Sequence, residues 1–148
     1  MARSLDIETL VEDAFLANLP TYDASSTVVR WDDIKHKTLT PSVKIKATLV
    51  DDEEGTLNLY CASNVLVDIA AFTSRKIDED GKTANGMRAE VRNFINQDDI
   101  VDTLNLADGL LVYKNGVIPQ TSSDGESDKV WQKMTSVLVV ATTTESSV

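Results

Sequence analysis

The chain has one cysteine and one histidine in 148 residues. Cys61 alone cannot form an internal disulfide, and Cys61 with His36 cannot furnish the four ligands of a Cys/His zinc site. Positive charge is also scarce: 14 Lys and Arg stand against 24 Asp and Glu, for a net charge of −10. Such a surface repels nucleic acid, which excludes a protein that grips DNA or RNA through a basic face. An acidic passage through which DNA slides is compatible with it, because repulsion prevents sticking. No apolar run approaches the roughly 20 residues that a membrane-spanning helix needs. The opening segment, MARSLDIETLVEDAFLANLP, carries four acids and lacks the apolar stretch of a signal peptide. The glycine patterns that cradle phosphates and the G-x-S-x-G turn of a serine nucleophile are missing too.

Periodicity organises what is there. Ile7, Leu10, Val11, Ala14, Phe15 and Leu19 follow helical spacing, which predicts a helix over 4–19, capped by Ser4 and stopped by Pro20. TVVRWD predicts a short strand over 27–32, followed by an exposed loop over 33–42. Val43 to Val50 alternates, with Val43, Ile45, Ala47 and Leu49 on one face and Lys44, Lys46 and Thr48 on the other. Asp51 to Gly55 reads as a charged turn. A long strand is expected over 56–72, with Cys61, Val65, Val67 and Ile69 on its apolar parity and a bulge near 62–64. A polar connection over 73–86 leads to a helix over 87–96 and a short one over 98–104. Asn115-Gly116 between Leu110–Lys114 and Val117–Gln120 predicts a hairpin. An acidic loop over 121–128 and a strand over 130–144 complete the chain. The order predicts one α+β domain spanning 1–148: a mainly antiparallel, twisted sheet with an N-terminal and a central helix packed on one face.

The candidate functional features are charge clusters. Asp78 to Gly86 has a faint EF-hand flavour, but the twelfth position is Ala89 where a bidentate acid is required, so a solvated turn is expected instead. His36 reads as a surface residue and Cys61 as core packing. Lys44 and Lys46 share a solvent face; with Arg75 and Lys76 they either keep the sheet soluble or form a positive surface that meets the acidic clusters of an identical subunit. Such polarity fits a head-to-tail ring. The dense β-branched run from Thr135 to Thr144, containing Val137 and Val139, suggests a long strand that either joins subunits or completes the subunit's own sheet.

Read together, these segments resemble the bacteriophage tail terminator, or neck (head–tail joining), family. The features that carry the likeness are the helix ending at LANLP, then STVVRWDD, TPSVKIKATLVDDEE, NLYCASNVLVDIAAFTSR, IDEDGKTANG, the helix MRAEVRNFIN, LLVYKNGVIPQ and VWQKMTSVLVVATTT. The likeness spans nearly the whole chain and is one of layout, without a single diagnostic motif. It implies a non-enzymatic structural protein with no catalytic, cofactor or metal residues. It implies a ring, typically of six copies, that caps the tail-tube protein, ends its polymerisation and docks to the head–tail connector or stopper. DNA passes through the lumen, with no membrane involved. The protein then belongs to the virion neck, after assembly in the host cytoplasm. The acidic segments Asp51, Asp52, Glu53, Glu54 and Asp78, Glu79, Asp80 are expected to face the lumen or a neighbouring ring. Lys44, Lys46, Arg75, Lys76, Val137 and Val139 are expected at the subunit interface. A tail-tube or head–tail adaptor subunit, and a small acidic binding module or enzyme, are the alternatives.

Overall fold

The computed structural model describes residues 6–20, 27–31, 41–54, 61–107, 109–126 and 130–143. His36, Ser4 and the side chain of Cys61 lie outside the described residues. Eight elements follow in the order α1 (Ile7–Asn18), β1 (Thr27–Arg30), β2 (Ser42–Glu54), β3 (Cys61–Ser74), α2 (Lys82–Ile95), α3 (Ile100–Leu104), β4 (Leu110–Glu126) and β5 (Val130–Thr143). The strands form one sheet in the order β1-β2-β3-β5-β4. Among the described residues, only the β1–β2 pair is parallel. The α+β architecture expected from the sequence is the one observed.

Strand alternation decides which face meets the helices. Val65, Val67, Ile69 and Ala71 of β3 and Val137, Val139 and Ala141 of β5 point to one side. There they join Val11, Ala14 and Phe15 of α1, Met87, Val91 and Phe94 of α2, and Ile100 and Leu104 of α3 in one core. Phe15 meets Phe94 edge to face at 5.9 Å between centroids, a geometry worth about 0.5–1.5 kcal/mol beyond the area buried. Val137 and Val139 have no exposed surface. They were expected at a subunit interface, and the structure corrects this. β5 lies between β3 and β4, so the C-terminal strand completes the subunit's own sheet.

Side chains cover parts of the open edges of β2 and β4. β1 covers β2 only as far as Arg30↔Ile45. Beyond it, α1 lies along β2. Glu12 Oε2 accepts the Ala47 N–H at 2.9 Å and Glu8 Oε2 accepts the Leu49 N–H at 2.7 Å. Glu12 Oε1 holds Arg30 Nε at 2.9 Å, and Arg30 also pairs with Asp13. Two carboxylates thus stand where a further strand would. At the opposite margin, Asn105 binds Val112 twice: its Oδ1 accepts the Val112 N–H at 2.6 Å and its Nδ2 donates to the Val112 carbonyl at 3.2 Å. The backbone of Val112 therefore faces away from β5. By the same parity along β5, so does the nitrogen of Pro119, which has no proton to offer a new strand.

In the sheet, the structure departs from the sequence expectations at four places. Asp51–Glu54 is no turn; it continues β2, paired with Asn64, Ser63, Ala62 and Cys61. The irregularity expected in β3 sits across the ladder, where β2 shifts register between Leu49 and Asp51. Asn115-Gly116 does not close a hairpin. Both of its flanks pair with β5, and β4 shifts register between Val112 and Val117. Asn115 takes φ 59° there, and a Cβ on Gly116 would lie 2.6 Å from the Tyr113 carbonyl oxygen and 2.7 Å from that of Val140. The 121–128 segment is mostly strand, because β4 continues in register with β5 as far as Glu126↔Trp131.

α1 is capped by Asp6, whose Oδ1 accepts the Glu8 and Thr9 amides at 3.0 and 3.3 Å. It ends at Leu19, before Pro20, as expected. α2 begins five residues before its expected start, and its first turn is part of the site described next.

Candidate interaction surface

β3 leaves the sheet at Ser74, and the chain turns through residues 75–81 into α2. One side chain builds this turn. Asp78 is 7% exposed. Its Oδ2 accepts the Thr73 hydroxyl at 2.8 Å and the Ala84 amide at 3.0 Å, while its Oδ1 accepts the Thr83 amide at 3.1 Å. Its backbone N–H donates to the Ser74 carbonyl at 2.8 Å, and its carbonyl accepts the Trp131 indole N–H at 2.7 Å. Asp78 therefore ties β3, α2 and β5 together. It also satisfies amides that would otherwise be orphaned at the start of α2. Burial alone would raise its carboxyl pKa, but the donations from Ala84, Thr83 and Thr73 outweigh that and hold it below the ordinary carboxylate value.

Gly81 carries φ +74°, the left-handed conformation that lets the chain enter α2. A Cβ there would already be 3.4 Å from Trp131 Cε2. Arg75 stacks on the Trp131 ring, its Cζ 4.6 Å from the centroid, and the Lys133 ammonium lies 5.3 Å from the same centroid. This rigid frame holds out one apolar side chain, Ile77, which is 82% exposed. Lys76, Glu79 and Asp80 are exposed around it. The frame extends along the helix face of the sheet. Asp124 of β4 pairs with Arg88 of α2 and with Lys133 at 3.1 Å, and these partners hold its carboxyl below the ordinary value.

The charge clusters noted in the sequence thus resolve into different things. Arg75, Lys76, Glu79 and Asp80 gather on one turn. Asp78 sits in the same turn but is a buried anchor, so it cannot line a lumen; its donors come from inside the fold. The 78–86 segment is likewise neither a calcium loop nor simply a solvated turn, because α2 starts at Lys82 and Asp78 serves that helix. Asp51–Glu54 lies on β2, away from this turn. Among the described residues, no group of three or more His, Cys, Asp and Glu is placed to hold a metal ion.

Lys44 and Lys46 lie on the opposite, helix-free face of the sheet, as the alternation indicated. Lys44 Nζ is 5.2 Å from the Phe72 ring centroid, Phe72 in turn meets Trp31 edge to face at 5.3 Å, and Lys46 is exposed in register with Asp68. Leu66, Leu138 and Ile118 form an apolar row across three strands of that face. Ile118 remains 42% exposed.

A second apolar feature lies on the helix layer. Leu10, Ala14 and Ala17 of α1 and Leu106 and Ala107 after α3 line a shallow groove of about 330 Å³ with Asp13 on its rim. Leu106 is 80% exposed. Sequence reasoning missed both Ile77 and this groove. An isoleucine alone within TSRKIDEDGK was the available signal for the first. The groove carried none, because it depends on how α1 and α3 pack.

No protein-family model matches this chain, and no curated protein matches it. Its functional reading rests on its own geometry and on the resemblance in layout. No helix among the described residues is long and apolar enough to cross a membrane.

Proposed function

We propose that this chain is a structural subunit of a tailed-phage neck. In this reading it forms a ring that caps the tail tube, ends tube growth and docks to the head connector, with DNA passing through the ring. The observation that carries the reading is the β3–α2 turn: a buried carboxylate fixes a turn whose outward product is an exposed isoleucine beside a lysine. Rigidity of that kind lowers the entropy lost on association. It serves a subunit that must meet partners in one geometry. The net charge of −10 supports a channel wall to which DNA does not adhere. Glu79, Asp80 and the Asp51–Glu54 segment are the acids this reading assigns to the lumen or to ring–ring contacts. Lys44, Lys46, Arg75 and Lys76 are its subunit-contact residues.

The test is size-exclusion chromatography with light scattering, followed by electron microscopy of the protein alone and mixed with unfinished tails. Closed rings that bind one end of a tail and stop its growth are expected. Tubes that lengthen with concentration would move the chain to a tail-tube role. A monomer that ignores tails at every concentration would remove the neck reading and favour a small binding module.

A further inference from the structure

We infer that the β3–α2 turn of one copy docks its Ile77 side chain into the α1–α3 groove of a second copy, with Lys76 facing Asp13 on the groove rim. This contact rests on the ring reading above and specifies which surfaces make the ring.

Three observations lead to it. First, Ile77 at 82% and Leu106 at 80% are far more exposed than the other large apolar residues among the described ones, of which Val50 is next at 59%. One stands out from a turn and the other borders a depression. A side chain held out by a rigid frame and a groove lined by Leu10, Ala14, Ala17 and Ala107 are the two halves of a central anchor contact.

Second, the charges agree. A chain of net −10 repels its own copies over most of its surface. Residues 75–82 are an exception: Arg75, Lys76 and Lys82 balance Asp78, Glu79 and Asp80, and Asp78 is turned inward. Among the described residues that line the groove, Asp13 is the charged one, and 55% of its side chain stays exposed although it pairs with Arg30. Arg30 is the cation already on Asp13, and Lys76 would share that carboxylate from its exposed side.

Third, strand addition is obstructed along part of β2 and part of β4. Glu8 and Glu12 occupy the Leu49 and Ala47 amides of β2, Asn105 occupies the Val112 backbone of β4, and Pro119 offers no N–H. The turn and the groove share no residue. Their contact is therefore heterologous, and repeating it yields a ring if the rotation closes and a filament if it does not.

Two substitutions test this by complementation. Ile77→Asp removes the anchor and leaves the groove; Ala17→Glu fills the groove and leaves the anchor. Both positions are exposed, so each variant should keep the wild-type circular dichroism and melting temperature. Each alone should need about tenfold or more protein than wild type to assemble. Mixed in equal amounts, they should form a one-to-one dimer and stop, because the intact anchor of one chain meets the intact groove of the other. The two new carboxylates repel, so they cannot recreate a contact. If wild type forms rings but either variant assembles at the wild-type concentration, or the mixture stays monomeric, this contact is wrong and the ring reading survives. If wild type itself remains monomeric, the ring reading fails and the contact falls with it.

Discussion

The margins of the sheet and the turn that leaves β3 handle their exposed groups in opposite ways. At the margins, some of the backbone N–H and C=O groups of β2 and β4 that could recruit another strand are occupied. Carboxylates of Glu8 and Glu12 serve β2 and the carboxamide of Asn105 serves β4. At the turn, the backbone is equally well satisfied through Asp78, yet an apolar side chain is left in water. A free edge bonds any extended peptide, whereas an isolated isoleucine on a rigid turn binds well only in a depression of matching shape. On these parts of β2 and β4 the indiscriminate form of association is hindered, and the proposed contact is of the selective kind.

The comparison can be broken most forcefully at Asp78. Asp78→Ala leaves the Thr83 and Ala84 amides and the Thr73 hydroxyl without their acceptor, and should cost about 3 kcal/mol, measured from the urea midpoint. The same carboxylate predicts a pH dependence. Its pKa is lowered in the fold, so its stabilisation is complete above the ordinary carboxylate range. It is lost as pH falls below that range towards the depressed folded value. Urea midpoints recorded between pH 7 and pH 3 should fall less steeply for Asp78→Ala than for wild type.

Removing the β2 guard comes next. The double substitution Glu8→Ala, Glu12→Ala should cost about 2 kcal/mol. It should also make the protein form fibres on gentle heating, detected by thioflavin fluorescence. An unchanged fibre lag time would show that α1 blocks the edge without those carboxylates. Asn105→Ala should cost about 1 kcal/mol and expose the start of β4 to faster amide hydrogen exchange at Val112. Smallest is Ile77→Asp, within about 0.5 kcal/mol of wild type, with its effect confined to assembly.

Much of the architecture was legible in local patterns. The periodicity of Ile7, Val11, Ala14 and Phe15 located α1, and the alternation of Val43, Ile45 and Ala47 assigned both faces of β2. What escaped depended on contacts distant in the chain. Asn115-Gly116 looks like a hairpin turn because its neighbours are strand-forming on both sides. Nothing local says that both sides pair with β5. The 82–86 segment looks like a turn because it contains Asn85-Gly86; α2 starts there because Asp78 and the Trp131 wall organise its first turn. Glu8 and Glu12 read as ordinary acids on a helix, and their bonds to Leu49 and Ala47 span more than thirty positions. The candidate site was half visible. Its charged residues stand out as a cluster, while Ile77 does not, since it stands alone and belongs to no apolar repeat.

Glu12 carries an implication for how this chain can drift over time. Its two oxygens have separate duties, one towards Arg30 and one towards the Ala47 amide. Glutamine would present an N–H to one of those donors, and aspartate would fall a methylene short. Three elements are thereby locked to a single side-chain length and valence. Variation among descendants should accordingly be concerted here, with positions 12 and 30 changing as a pair or staying as they are.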